Sequence, residues 1–316
     1  MTYAAIDIGT NTILMLIARA TDTIEEIEDV SSITRLGEGL KRNGYLLDAA
    51  INRSVEVVMR YAGIAKSYDV DKVFCVGTSA LREAANSGRF LKRVQDACGI
   101  SVQIISGDEE AYYTYLAVMT DGLIGGHDLF VVDIGGGSTE MIAGDREHLA
   151  DLLSLPIGTV KLTEMFVKTD PPEEREIEST RTHIRTLLTK PLAKGNELVC
   201  VGTGGTITTL GAVMLGLGSF DKERIHGLAL SLNDVRDIIL RLKAMDRQER
   251  VKVPGIETGR EDVITQGAIL LEEIMAYHSF AGCVISTKGV RHGVMLCGAG
   301  LAPDASDILQ AKRLQM

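Results

Sequence analysis

Two pairs of segments in this 316-residue chain repeat one another at nearly the same spacing. Residues 3–12 (YAAIDIGTNT) resemble residues 130–139 (FVVDIGGGST), and the two aspartates stand 126 positions apart. Residues 73–78 (VFCVGT) resemble residues 198–203 (LVCVGT) at an offset of 125. Any buried strand that ends in a glycine turn gives one such match, so the common offset is what indicates a duplicated chain.

Each half is predicted to begin with the same arrangement of strands. An apolar strand ends in a glycine turn, and a second strand returns beside it over residues 13–19 in the first half and 139–144 in the second. Further along each half, another apolar strand leads through a Gly-Thr turn into a helix, over residues 79–85 and 206–215. Such a turn directs backbone N–H groups at an anion. The fold class is therefore α/β, with two duplicated domains.

The domain limits follow from the repeat. We place the first domain at residues 1–122, the second at 123–300 and a C-terminal tail at 301–316, with 122–127 as linker and hinge. Apolar residues at a period near 3.6 predict a helix over 48–68, and a further helix is predicted over 262–277.

Composition and charge restrict the classes of function. With 45% hydrophobic residues the chain can bury a substantial core, and no apolar segment approaches the roughly 20 residues that cross a bilayer. A net charge of −10 argues against a nucleic-acid surface, which is normally basic. A polyanionic substrate would have to be held locally, by a few Arg and Lys side chains, by glycine-loop amides and by a metal ion.

The cysteines indicate a reducing compartment, and a cytoplasmic protein is expected. They are odd in number, lie far apart and form no CxxC pair, which argues against a disulfide framework and against a thiolate zinc site. They are Cys75, Cys98, Cys200, Cys283 and Cys297.

Three glycine-rich turns are predicted to bind phosphate. Glycine lets the backbone approach phosphate oxygens, and the aspartates that lead two of the turns can hold a hydrated divalent cation. The chain has neither a Walker P-loop nor a GxGxxG segment, which disfavours ordinary P-loop ATPases and dinucleotide enzymes. The predicted contacts are Asp7, Gly9, Thr10, Asn11, Thr12, Gly135, Gly136, Gly137, Ser138, Thr139, Gly202, Gly204, Gly205 and Thr206.

The paired Asp-Ile-Gly turns resemble those of the actin, sugar-kinase and heat-shock-chaperone superfamily. The fuller pattern resembles the exopolyphosphatase and guanosine pentaphosphate phosphohydrolase (Ppx/GppA) family from about residue 5 to 298. This resemblance implies two actin-like (ribonuclease H-like) domains with a cleft between them. Its most specific segments are residues 4–12 (AAIDIGTNT), 76–83 (VGTSALRE), 105–111 (ISGDEEA), 133–140 (DIGGGSTE) and 155–162 (LPIGTVKL).

The resemblance also implies roles for individual residues. Glu110 corresponds to the glutamate that activates water, and Arg82 would contact the substrate phosphates. Two further catalytic residues are expected: Glu140 would share that water or the metal, and Asp133 would hold Mg²⁺ or Mn²⁺, directly or through water. A local argument supports Glu110: residues 106–109 have capping-box spacing, which would occupy Glu109 at the helix N-terminus and leave Glu110 to face the substrate.

Five further cations are predicted to contact more distal phosphates, with solvated surface charge as the alternative for each. They are Arg35, Lys41, Arg42, Lys288 and Arg291. Two positions depart from the family pattern. Tyr112 stands where the family commonly has Arg, and His292 stands where an acidic residue is common.

The predicted reaction is release of the terminal phosphate from inorganic polyphosphate. The alternative is cleavage of guanosine pentaphosphate to tetraphosphate, which breaks the same kind of terminal anhydride. A kinase or ATPase of the wider superfamily and a non-catalytic nucleotide sensor are more distant alternatives. No nucleic-acid or membrane partner is expected, and the sequence leaves a homodimer open.

Overall fold

The computed structural model describes residues 1–123, 127–145, 149–189, 191–192 and 198–315, with side chains to residue 310. By its contacts the chain divides into two units. Unit 1 comprises Met1–Ala117 and Gly289–Met316, and unit 2 comprises Val118–Lys288.

This division differs from the predicted domain limits. The chain passes from unit 1 to unit 2 after Ala117, a few residues before the predicted boundary at 122. The C-terminal segment from Gly289 then returns to unit 1. The repeat could not predict that return, because it covers only the strands that open each half. The predicted linker 122–127 includes residues 124–126, which lie outside the described residues.

The regular elements alternate along the chain as expected for an α/β protein. The strands are β1 (Thr2–Ile8), β2 (Thr12–Ala20), β3 (Ile24–Ile33), β4 (Lys72–Gly77), β5 (Gln103–Ile104), β6 (Leu129–Ile134), β7 (Thr139–Gly144), β8 (Leu149–Leu155), β9 (Val199–Thr203), β10 (Ala229–Ser231) and β11 (Gly282–Ile285). The helices are α1 (Leu40–Asn43), α2 (Asp48–Ser67), α3 (Ser79–Glu83), α4 (Ser87–Cys98), α5 (Gly107–Met119), α6 (Thr159–Phe166), α7 (Glu174–Leu187), α8 (Gly204–Leu215), α9 (Lys222–Ile225), α10 (Leu232–Lys243), α11 (Arg247–Arg250), α12 (Ile264–Tyr277), α13 (Val290–Gly298) and α14 (Ala305–Gln315).

Each unit is built on one mixed sheet, and the two sheets share the same order over five strands, to which unit 2 adds β10. The order in unit 1 is β3-β2-β1-β4-β5, and in unit 2 it is β8-β7-β6-β9-β11-β10. In both, the first three strands of the unit form an antiparallel meander, and a later strand pairs parallel with the first. The shared order confirms the duplication that the sequence predicted.

The duplicated hairpins differ at one chemically important position. Asp7 of β1 lies opposite Leu14 of β2, whereas Asp133 of β6 lies opposite Glu140 of β7. Directly opposed residues of an antiparallel pair have their side chains on the same face of the sheet. Unit 2 alone therefore has a pair of carboxylates at this end of the hairpin.

Each unit has its own hydrophobic core. In unit 1, α2 packs against α4 and β2, and α13 packs against β1, β2 and β4. In unit 2, α12 is buried along nearly its whole length among α6, α7, α8 and α10, which explains why most of its residues are apolar. These cores hold the ends of the strands that carry the glycine turns.

The predicted elements agree with the structure to within a few residues. The strand predicted over 139–144 is β7, the helix predicted over 48–68 is α2, and the helix predicted over 262–277 is α12, which begins at Ile264. The described part of the chain has no helix with both the length and the apolar composition needed to cross a bilayer.

Candidate active site

The first glycine turn joins β1 to β2 and is braced from outside. The N–H of Gly9 donates to the carbonyl of Thr12 (3.0 Å), and the N–H groups of Thr34 and Arg35 both donate to the carbonyl of Asn11 (2.9 Å each). The N–H of Gly37 donates to Thr10, and a Cβ at Gly37 would lie 2.3 Å from the Thr10 methyl group. Only glycine lets the bracing segment approach this closely.

The Asn11 side chain in this turn is suited to bind a ligand. It is 6% exposed, and neither its amide nitrogen nor its amide oxygen has a hydrogen-bond partner among the described residues. A buried polar group that is left unpaired costs about 1–3 kcal/mol, so a substrate or water that satisfied Asn11 would recover this free energy. Arg35, which was predicted as a distal phosphate contact, braces the turn with its backbone in the left-handed region (φ 52°).

The predicted capping box at the start of α5 is confirmed. The N–H of Ser106 donates to the Glu109 carboxylate (2.6 Å), and the N–H of Glu109 donates to the Ser106 hydroxyl (3.2 Å). Glu109 is thereby occupied in satisfying the helix N-terminus. Glu110, the next residue, takes no part in the cap and is 8% exposed.

The Glu110 carboxylate is paired with Arg82 inside unit 1. Nη1 of Arg82 lies 2.7 Å from Oε2 of Glu110, and the same nitrogen donates to the carbonyl of Ile105 at 2.9 Å. Charge-assisted hydrogen bonds of this length are among the stronger polar contacts in proteins. The structure therefore brings together two residues that the sequence predicted to have separate roles.

In unit 2 the two predicted acidic residues lie side by side. Asp133 and Glu140 are opposite one another on β6 and β7 and are 9% and 1% exposed. Glu140 is also opposite Ser154 of β8, and the Ser154 hydroxyl donates to Oε1 of Glu140 (2.8 Å). Ser154 was not predicted, because only the register between β7 and β8 places it beside Glu140.

The second glycine turn, residues 135–138, is held by the segment that follows β8. The N–H groups of Thr159 and Val160 donate to the carbonyls of Gly135 (3.0 Å) and Gly136 (2.9 Å). A Cβ at Gly158 would lie 2.5 Å from the Gly136 carbonyl carbon, so the two backbones are in direct contact. The LPIGTVKL segment, which the family resemblance singled out without a role, thus braces this turn.

The third turn is in contact with Asp133. Thr203 of β9 lies opposite Asp133, and Gly204 begins α8 with a φ of +86°. A Cβ at Gly204 would lie 2.3 Å from Oδ1 of Asp133. Gly204 is therefore required both by its backbone conformation and by the approach of the carboxylate.

Arg260 is a second residue that the sequence did not identify as part of this site. Its guanidinium lies over the start of α8, where a Cβ at Gly205 would be 2.5 Å from Nη1. Its side chain is 12% exposed, and its Nε also donates to Glu257 (3.1 Å). No local spacing in the sequence connects Arg260 with Gly205, so only the folded chain shows this contact.

The predicted metal ligands have the right chemistry for Mg²⁺. Asp133 and Glu140 offer carboxylate oxygens, which hard divalent cations prefer, on adjacent strands of a rigid sheet. The residues present therefore fit such an ion, and its binding here is still a prediction.

A second acidic group, in unit 1, does not fit a metal. Glu26, Asp29 and His292 have ligand atoms within 4.8 Å of one another. However, Nδ1 of His292 accepts the N–H of Gly289 (3.3 Å), so the proton of the neutral ring is on Nε2, which faces Glu26 at 3.3 Å. A protonated ring nitrogen cannot ligate a metal, so His292 faces Glu26 as a neutral ring and not as a ligand of a shared ion.

The other cations that were predicted to contact distal phosphates lie in different parts of the chain. Lys41 and Arg42 are exposed on α1. Nζ of Lys288 lies 2.9 Å from Asp121, which also lies 3.2 Å from Nε2 of His226, and these two partners hold the pKa of Asp121 below its usual value despite burial. No described contact of these cations tests the predicted phosphate binding.

Arg291 has a structural partner instead. Its Nε and Nη2 donate to the two oxygens of Asp29 at 2.8 Å each, and it is 8% exposed. A bulge in β3 skips Ile27 and places Glu26 on the same face of the sheet as Asp29, because Glu26 lies opposite Ala18 and Asp29 lies opposite Leu16. The ion pair docks α13 on the sheet of unit 1, and the predicted contact of Arg291 with a distal phosphate is still a prediction.

His292 is expected to make the stability of unit 1 depend on pH. Burial, and then the nearby Arg291 charge, lower the pKa of His292 to about 4, while Glu26 and Asp29 oppose this shift. The unfolded chain binds a proton near the ordinary pKa of about 6.5, so stability is complete above that pH. As the pH falls from about 6.5 to 4, roughly 3 kcal/mol should be lost.

Urea unfolding between pH 4 and 7 checks this prediction. His292→Gln should flatten the dependence of the unfolding free energy on pH between pH 6.5 and 4. The matched control His183→Gln, on α7 of unit 2, should leave that dependence unchanged. An equal slope in the wild type and in His292→Gln would contradict the prediction.

The protein matches a known family over most of its length. The family model of the Ppx/GppA phosphatases matches residues 16–299. The chain belongs to this family. Its two sheets correspond to the two actin-like domains of Ppx/GppA structures: the crystal structure of the Aquifex aeolicus member has a TM-score of 0.78 at 32% identity, and the match covers 98% of each chain.

Two relatives differ in length. The chain is 33% identical over 286 residues to exopolyphosphatase 2 of Mycobacterium tuberculosis. This match covers 86% of the chain and 89% of that protein. It is 32% identical over 309 residues to a bifunctional 3-dehydroquinate synthase/phosphatase of Fusobacterium nucleatum, which covers 93% of this chain. The match spans only 46% of the bifunctional protein.

Proposed function

We propose that this protein is an exopolyphosphatase, which releases orthophosphate from the end of inorganic polyphosphate. The observation that carries the proposal is the division of roles at the start of α5. Glu109 caps the helix, while the adjacent Glu110 is buried and held by Arg82. A pure phosphate-binding protein has no need of a carboxylate fixed in this way, whereas a hydrolase needs a positioned base.

In the proposed reaction, the oxygen of a water molecule attacks the terminal phosphorus atom. Glu110 accepts the proton of that water, and the bond between the terminal phosphorus and the bridging oxygen breaks. The bridging oxygen leaves with the shortened polyphosphate, and the products are orthophosphate and a polyphosphate that is shorter by one phosphate. No covalent intermediate with the protein is required.

The remaining residues bind and neutralise charge. The Asn11 amide and the backbone N–H groups of the glycine turns are the proposed ligands of the phosphates. Asp133 and Glu140 would hold Mg²⁺, which supplies charge neutralisation on the phosphoryl oxygens when bound. The Ser154 hydroxyl orients Glu140.

Support also comes from a relative: the M. tuberculosis protein that matches this chain over most of both lengths is an exopolyphosphatase. Guanosine pentaphosphate has the same terminal anhydride and is the second candidate substrate. The carboxylates cannot distinguish the two, because they act on the shared group.

The test is phosphate release with Mg²⁺ from short polyphosphate, long polyphosphate, guanosine pentaphosphate and ATP at equal concentrations of terminal phosphate. We expect the highest kcat/KM for polyphosphate. A higher kcat/KM for guanosine pentaphosphate would make that nucleotide the preferred substrate in place of polyphosphate. Absence of phosphate release from all four compounds would overturn the proposal of a hydrolase.

A further inference from the structure

The contacts of Arg82 leave one of its terminal nitrogens fully occupied. A guanidinium Nη carries two N–H groups. Nη1 of Arg82 donates to both Oε2 of Glu110 (2.7 Å) and the carbonyl of Ile105 (2.9 Å). A phosphoryl oxygen could reach Nη1 only by displacing one of these partners.

The surroundings of the pair are also fixed. The N–H of Ile105 donates to Gly77 at the end of β4, and the N–H of Glu110 donates to the carbonyl of Ser106. Arg82 lies on α3, which follows β4 directly, so one guanidinium connects α3, the residue before the capping box and the carboxylate of α5. The side chains of Arg82 and Glu110 are only 20% and 10% exposed.

A glutamate base needs such a partner. Its side chain has three rotatable bonds, and proton transfer requires the carboxylate within hydrogen-bond distance of the attacking water. A displacement of about 1 Å can cost roughly 100-fold in rate. The Arg82 contact is a direct means of selecting one orientation of the Glu110 carboxylate.

We propose that Arg82 is a positioning residue, which holds Glu110 in the orientation from which it accepts the proton of water. This role differs from the direct phosphate contact that the family resemblance implied. It rests on the proposed hydrolysis, since it assigns Arg82 to the base of that reaction.

The two roles predict different kinetics for Arg82→Met with polyphosphate. A positioning role predicts that kcat falls by about 100-fold while KM changes by less than about threefold. Arg82→Lys should recover part of kcat, because an ammonium group retains the charge near Glu110. A phosphate contact predicts a KM raised about tenfold or more. The matched control is Arg89→Met, which removes an exposed ion pair with Asp48 and should leave both constants unchanged.

A binding measurement separates the roles without turnover. In a Glu110→Gln background, calorimetry should give the same Kd for short polyphosphate with Arg82 and with Met at this position. A Kd weakened about tenfold by Arg82→Met in that background would overturn the positioning role. An unchanged kcat in Arg82→Met would also overturn it, even if wild-type activity supports the exopolyphosphatase. A wild type that releases no phosphate from any substrate would overturn the reaction and the positioning role together.

Discussion

Glu110→Gln is expected to lower kcat for phosphate release by about 10²–10⁴-fold, the usual contribution of a general base. Glutamine keeps the size of the side chain and can still accept a hydrogen bond from Arg82, but it cannot take up the proton of water at neutral pH. KM should change little, because the substitution leaves the glycine turns intact. Steady-state phosphate release from polyphosphate measures both constants.

The adjacent residue offers a matched control for this experiment. Glu109→Gln also removes one carboxylate from the first turn of α5, but glutamine can still reach back to the N–H of Ser106 as the capping box requires. Its kcat should stay within about twofold of the wild type. An equal loss in both variants would mean that helix structure, and not the base, accounts for the effect.

Gly204→Ala is expected to lower kcat by about 100-fold or more and to destabilise unit 2 by about 1–2 kcal/mol. The added Cβ would lie 2.3 Å from Oδ1 of Asp133 and 3.1 Å from the carbonyl oxygen of Ile134. The carboxylate must therefore rotate away from its present position. Activity titrated with Mg²⁺ should show a higher metal requirement, since Asp133 is a proposed ligand.

Gly216→Ala separates the two causes. Gly216 ends the same helix with a φ of +62°, and a Cβ there would meet nothing within 4 Å. We expect a similar loss of stability, about 1–2 kcal/mol by urea unfolding, with no change in kcat. If Gly216→Ala lowered kcat as much as Gly204→Ala, the contact with Asp133 would not be the cause.

Several features of the fold and site could be predicted because they are encoded locally. The alternation of apolar strand, glycine turn and returning strand involves neighbours in the chain, and its recurrence at one offset predicted the two equivalent sheets. The capping box lies within residues 106–109, so its spacing alone separated Glu109 from Glu110. The helical period of α2 was equally visible.

Other features required the folded chain. The sequence named Asp133 and Glu140, but only the register of three strands places Ser154 beside Glu140. Arg260 and Gly205 are separated by more than fifty residues, and helix packing alone brings them together. For the same reason only the folded chain shows that Arg82 pairs with Glu110 and that Arg291 pairs with Asp29.

The sequence by itself determined the duplicated α/β architecture, the glycine turns and the capping box that occupies Glu109, because hydrogen bonding and periodicity act over a few residues. The tertiary structure decided which carboxylates and arginines are paired, and that the C-terminal segment from Gly289 returns to unit 1. These outcomes depend on strand register and close packing between distant segments, where a few tenths of an ångström decide whether a glycine is required or a side chain is held.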